Sequence, residues 1–148
     1  MLLLLHSLLR WLVLFGGLAA TVLAFQAYKG KPWSPLHKGA NLLFLIALDT
    51  QYAIGTVTWL QSPLVAAARA DLGAAMREPI LRFFAVEHPA YMLLALIAMH
   101  VGFAKAKRAG ADLLQHRAAF LLFATSTALL LLGIPWPWRA VGRPLLSL

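Results

Sequence analysis

Four long runs of apolar residues, broken only by scattered polar positions, divide this chain. Each is close to the ~20 residues that a helix needs to cross a bilayer, or longer. The pattern predicts an all-α protein, a four-helix transmembrane bundle forming one domain over residues 1–148. The expected spans cover about residues 2–27, 36–60, 79–104 and 113–134, which puts both termini on the same side of the membrane.

Polar positions inside the runs are few and informative. In the first, Arg10 lies within the apolar stretch rather than ahead of it, and no small-x-small cleavage site followed by a polar chain is evident. It reads as a span, not a leader. His6 and Arg10 are four residues apart and share a helix face. Gly17 and Thr21 continue that face, where small residues admit a second helix or a flat ligand. In the second run, Asn41, Asp49, Tyr52, Thr56 and Trp59 fall within roughly 80° of one another, a polar stripe. Asp49 sits near mid-span and requires a partner or a proton.

The third run has two possible starts. From Pro89 to Ala104 it would reach about 24 Å, too short for a bilayer; from Pro79 it reaches about 39 Å. The longer helix is expected, with Pro79 in its first turn. Pro89 then kinks it and frees the carbonyl of Ala85. Glu87 and His88 consequently lie one to two turns below the surface, a costly placement that calls for a reason. Ahead of Pro79, balanced charges and the run Leu64-Val65-Ala66-Ala67-Ala68 predict a short interfacial helix over about residues 63–77. Pro32, Pro35 and Gly110 punctuate the loops, Trp33 is expected as an interfacial anchor, and Pro135-Trp136-Pro137-Trp138 closes the fourth span. Thr125-Ser126-Thr127 is expected to join helices, and the tail 139–148 to be peripheral.

Composition strengthens the membrane assignment. Of the 148 residues, 61% are hydrophobic and only 12% charged, too few to cover a water-soluble globule. With no cysteine, disulfides, thiolate nucleophiles, iron–sulfur clusters and Cys-held zinc are excluded. A net charge of +8 suggests nucleic acid at first sight. The basic residues instead sit in short loops beside apolar runs, with no aromatic-interleaved basic patch, so they report membrane topology and no nucleic-acid partner is expected. The 1–2 and 3–4 loops hold seven basic residues, including all five lysines, against five arginines on the other side. By the positive-inside rule the termini face outward.

The histidines suggest chemistry. His6 and His88 belong to the outer half of the bundle; His37, His100 and His116 belong to the inner half. Two histidines from different helices can clamp a b-type haem, and His6 with His88 is the leading pair of axial ligands. His100 follows His88 by about 18 Å of helix, a spacing for a second haem with His37 or His116. Twelve residues also turn the face by about 120°, which argues against it. Met92 and Met99 are expected in the core rather than on a metal. Glu87 is a candidate acceptor from a ligand histidine or a proton carrier. Arg10 and Arg82 are candidates for haem propionates, and Arg10 equally for pairing with Asp49.

Three functions compete on this basis. The first is electron transfer through a haem whose two coordination positions are closed by histidine, which is unsuited to oxygen activation. The second is a cofactor-free accessory subunit packed on other membrane subunits or on a second copy of itself. The third is a proton pathway through Asp49, Glu87 and Arg10.

The segments His6-Ser7-Leu8-Leu9-Arg10-Trp11, Arg82-Phe83-Phe84-Ala85-Val86-Glu87-His88-Pro89 and Gly133-Ile134-Pro135-Trp136-Pro137-Trp138, with the basic loop Lys105-Ala106-Lys107-Arg108, resemble small bacterial four-helix membrane proteins labelled cytochrome b. The resemblance covers nearly the whole chain. It implies four spans in the bacterial inner membrane and b-type haem, with its pattern falling on His6, Arg10, Glu87 and His88. The quinone pool or a larger respiratory or photosynthetic complex would be the partner. In similar chains a histidine precedes a Gln-x-x-Ile-Gly pattern in the second helix. Here Asp49-Thr50 precede Gln51-Tyr52-Ala53-Ile54-Gly55, so a haem using that ligand would be lost.

Overall fold

The computed structural model describes residues 1–109 and 111–146. Gly110 and the last two residues of the tail, both named in the sequence analysis, lie outside the described residues. The described chain is helical, with no strand. Helix α1 spans Leu2–Tyr28 and α2 spans Pro35–Leu60. Two short helices follow, α3 (Pro63–Ala70) and α4 (Leu72–Ala75). The third crossing is built from α5 (Pro79–Arg82), a π-helical turn (Phe83–Glu87) and α6 (His88–Arg108), and the fourth is α7 (Leu113–Gly133). Four helical stretches are therefore long and apolar enough to cross a membrane, the third running from Pro79 to Arg108. The protein is a multi-pass membrane bundle.

Local sequence sets the boundaries. Just past the end of α1 stands Gly30, whose φ of +87° is open to glycine and strained for other residues. Gly30 N–H donates to Ala27 O and Lys31 N–H to Gln26 O, each at 3.0 Å, closing the helix with paired backward bonds. Helix α2 opens on Ser34 followed by Pro35, and His37 Nδ1 accepts from the Ser34 backbone N–H at 3.2 Å. Asp112 opens α7, its Oδ1 accepting from the N–H groups of Leu114 and Gln115.

The interior is small and the exterior large. Ser7, Gly16, Gly17, Ala20, Ala24 and Ala27 of α1 are buried, while Leu3, Phe15, Leu18 and Val22 are exposed. This inversion of the soluble pattern lets helices approach closely and offers bulky side chains to lipid. A Cβ on Gly17 would lie 2.9 Å from both Phe44 and Thr127. Phe44, Leu48, Met99, Ala119 and Phe123 fill the centre. Thr21 and Thr127 hydroxyls meet at 3.3 Å, and Ser126 Oγ donates to Ala95 O at 2.7 Å, so the Thr125-Ser126-Thr127 run does join helices.

Around the bundle the order is α1, α2, α6, α7. The α1–α2, α1–α7 and α6–α7 seams are extensive and the α2–α6 seam is the loosest. His6 on α1 and His88 on α6 therefore come from diagonally opposite helices.

Three expectations are corrected. The interfacial helix over about 63–77 is split: Asp71 is extended (φ −144°, ψ 91°) and its Oδ1 caps Ala74 N–H at 2.9 Å, ending one helix and starting the next. Trp33 is no simple interface anchor. It packs on the core, with ring centres 4.8 Å from His37 and 5.2 Å from His116. The tail is not peripheral. Arg139 Nη1 donates to Leu132 O (2.6 Å) and Ile134 O (3.0 Å), satisfying carbonyls that the end of α7 leaves free. Arg139 and Arg143 also lie 5.0 Å from the ring centres of Phe83 and Phe84, so the tail folds over the end of the bundle that holds His6 and His88.

Candidate functional site

Pro89 has no N–H, so the Ala85 carbonyl loses its helical donor. The chain answers with the π-helical turn, in which His88 N–H reaches back to Phe83 O. The Trp59 indole N–H then donates to Ala85 O at 3.2 Å, fastening the end of α2 to the turn. His88 emerges directly behind this turn, aimed into the bundle.

His88 Nδ1–H donates to Gly133 O at 2.8 Å. That bond fixes the ring and its tautomer and leaves Nε2 as the nitrogen with a free lone pair. The carbonyl is reached because Gly133 is bare: a Cβ there would collide with Met92 and with Tyr91. The imidazole of His6 faces His88, with ring centres 6.3 Å apart and planes at 70°. Gln51 Nε2 lies 3.3 Å from His6 Nε2 and donates to His6 O at 3.0 Å. His6 Nδ1 is buried without a hydrogen-bond partner. Gly55, one turn beyond Gln51, gives the His6 ring its space: a Cβ there would lie 3.0 Å from His6 Cε1.

A cavity of about 290 Å³ adjoins the pair. Tyr52, Thr56 and Trp59 of the α2 stripe and Pro89, Met92 and Leu93 of α6 line it with the two histidines. The rim residues Thr56, Ala90 and Leu93 are exposed, so the cavity opens sideways through the α2–α6 seam. The result is an apolar slot, open to the bilayer, with two imidazoles at its inner end.

The other expected site residues lie elsewhere. Glu87 meets Arg82 Nε at 2.6 Å, both side chains more than a third exposed, and is bonded to neither histidine. Arg82 also donates to Met76 O at 3.2 Å. Arg10 donates to Leu145 O in the tail and does not pair with Asp49. Asp49 instead meets His100 Nε2 at 2.8 Å. His100 is therefore held about 18 Å along α2 from His37, which shares Trp33 with His116. It is not brought to either candidate partner for a second haem. Met99 is fully buried in the core, and Met92 lines the slot.

The residue types suit one kind of group better than another. Among the described residues no three His, Asp or Glu side chains gather to hold a bare ion. Two imidazoles from opposite sides are instead the donor set of a six-coordinate haem. With nitrogen–metal bonds of about 2 Å on each side, the ring centres of such a pair stand about 6 Å apart. The observed 6.3 Å is compatible with that spacing, and is also the distance of an ordinary edge-on ring contact. Gln51, Gly55 and Gly133 complete the site and were missed as site residues in the sequence. The available signal was the i, i+4 pair Gln51 and Gly55 on one face of a span.

Models of known protein families, curated proteins and solved structures were compared with the chain, and none matches it.

Proposed function

We propose that the protein is a membrane electron carrier holding one b-type haem between His6 and His88. The observation that carries this is the facing of the two imidazoles at 6.3 Å from diagonal helices, one of them anchored through Nδ1 to Gly133 O. Ligand histidines are commonly fixed by such a carbonyl bond, which also raises the basicity of the free nitrogen.

A bound haem would supply reversible one-electron chemistry at its iron. The chain's own residues orient and seclude the group. Gly133 O holds His88, the Gln51 amide donates to the His6 backbone carbonyl and stands 3.3 Å from His6 Nε2, and the apolar slot limits water. Two histidine ligands leave no open position, which favours electron transfer over catalysis. The sideways opening suits exchange of electrons with a lipid-dissolved quinone or with a neighbouring subunit of a respiratory or photosynthetic complex. The resemblance to small bacterial four-helix proteins labelled cytochrome b supports the same reading and a place in the bacterial inner membrane. The seven basic residues at the end of the bundle where the α1–α2 and α6–α7 connections lie support termini on the outside.

The test is a dithionite-reduced minus oxidised spectrum of the detergent-purified protein with pyridine haemochrome quantification. About one haem per chain with a sharp b-type α band is expected. His88→Ala and His6→Ala should each abolish the low-spin band while the protein still assembles. Absence of haem from protein made with ample haem supply would overturn the proposal.

A second reading, a cofactor-free accessory subunit, is favoured by one observation. The Asp49–His100 pair sits in mid-membrane with its side chains about half exposed, at 44% and 50%. Such a pair is costly against lipid and would be covered by a neighbouring helix. The proton-pathway reading lacks a comparable basis, since Arg10, Asp49 and Glu87 each bond to a different group.

A further inference from the structure

At the opposite end of the bundle from the histidine pair, a second cleft of about 400 Å³ runs along α6. His100, Val101, Ala104, Lys105 and Arg108 form its wall, and Gln115 of α7 closes it. From Arg108 to His100 is eight residues, or about 12 Å of helix. The top of the cleft thus carries two cations at the level where the helices leave the membrane. Below them come the apolar side chains Val101 and Ala104, and the Asp49-paired His100 closes the deep end.

Lys105 and Arg108 are three residues apart, which puts them on one face. Both are exposed, and neither has an ion-pair or hydrogen-bond partner among the described residues. The nearest acid in sequence, Asp112, is already engaged in capping Leu114 and Gln115. The outer end of the cleft is therefore positively charged and uncompensated, while the Asp49 carboxylate at the deep end is bound to His100.

We propose that this cleft binds the phosphate headgroup of an anionic phospholipid. Lys105 and Arg108 would take the phosphate, Gln115 would offer its amide to the same headgroup, and the acyl chains would run down past Val101 and Ala104. The step from two cations to Val101 and Ala104 along one groove, above the His100–Asp49 pair, fits an amphiphile rather than a free anion. Basic pockets between membrane helices recognise lipid headgroups by this combination of charge and depth. The site is independent of the histidine pair and of any cofactor there.

Native mass spectrometry of the full-length protein in detergent tests this. The probes are palmitoyl-oleoyl phosphatidylglycerol and the corresponding phosphatidylcholine. Preferential retention of the phosphatidylglycerol is expected. The double variant Lys105→Gln/Arg108→Gln should reduce that preference by about fivefold for each charge removed. Lys105→Gln alone should give about half the logarithmic loss, and it serves if the double variant does not assemble. Lys29→Gln/Lys31→Gln, which removes the same charge from the other loop at that end, should leave the preference intact. An equal loss in that control would overturn the proposal, because general basicity would then explain the binding. So would the absence of any preference in the wild-type protein. Displacement of the lipid by millimolar inorganic phosphate would also overturn it and assign the cleft to a free anion.

Discussion

Two glycines of α2 make opposite predictions from the same chemical change. A Cβ on Gly39 would meet nothing within 4 Å, whereas one on Gly55 would press on the His6 ring at 3.0 Å. Gly39→Ala should therefore stabilise the bundle, by up to about 1 kcal/mol, through helix propensity alone. Gly55→Ala gains the same propensity but overpacks the site, at a cost of about 1–3 kcal/mol. Thermal unfolding in detergent should show the midpoint rising for the first and falling for the second. On the haem proposal, only the second should also lower haem retention. At this scale the histidine pair was legible, since His6 and His88 stand out as polar residues in apolar runs, but Arg10 and Glu87 stand out in the same way and bond elsewhere. Their partners were not. Arg10 and Asp49 lie at comparable depth, and sequence depth alone cannot separate an Arg10–Asp49 pair from the Asp49–His100 pair that forms. Gly133 shows no chemistry of its own, and its role exists only because His88 needs a bare carbonyl at the far end of α7.

The element that decides the geometry is the turn between α5 and α6. Proline was expected to free the Ala85 carbonyl; the structure adds the π-helical turn and the Trp59 indole that answers it. Hydropathy carries the lengths of the spans, which is why the four helices were legible. It carries no information about a backbone bond supplied by a side chain from another helix. Trp59→Phe keeps the aromatic volume and removes the donor. It should cost about 1–3 kcal/mol, the usual penalty for a carbonyl left without a partner away from water. In a Pro89→Ala background the cost should shrink, because the backbone N–H restored by that substitution can then serve Ala85 O. Thermal unfolding of the four proteins measures this. Equal costs in the two backgrounds would mean that the indole and the missing N–H are unconnected.

For the whole molecule, the weak seam between α2 and α6 is the organising feature. Three seams are closed by small residues and interdigitating side chains, while this one carries the sideways slot at one end. The Asp49–His100 contact is the cross-link between these two helices nearer the basic end, where Asp49 Oδ1 and His100 Nε2 stand 2.8 Å apart. Measured couplings between polar side chains in membrane bundles average about 0.6 kcal/mol, because the separated groups find other partners in the unfolded reference state. With both side chains about half exposed, a value near that average is expected here, not one typical of a dry core. A double-mutant cycle with Asp49→Asn, His100→Ala and both together would read it directly, since the pairwise term survives only if the two groups act on each other. A coupling near ~0.6 kcal/mol would identify the pair as a latch on the loose seam. A coupling of zero would mean that the seam is held from elsewhere, and that Asp49 and His100 meet only because their helices are already in place.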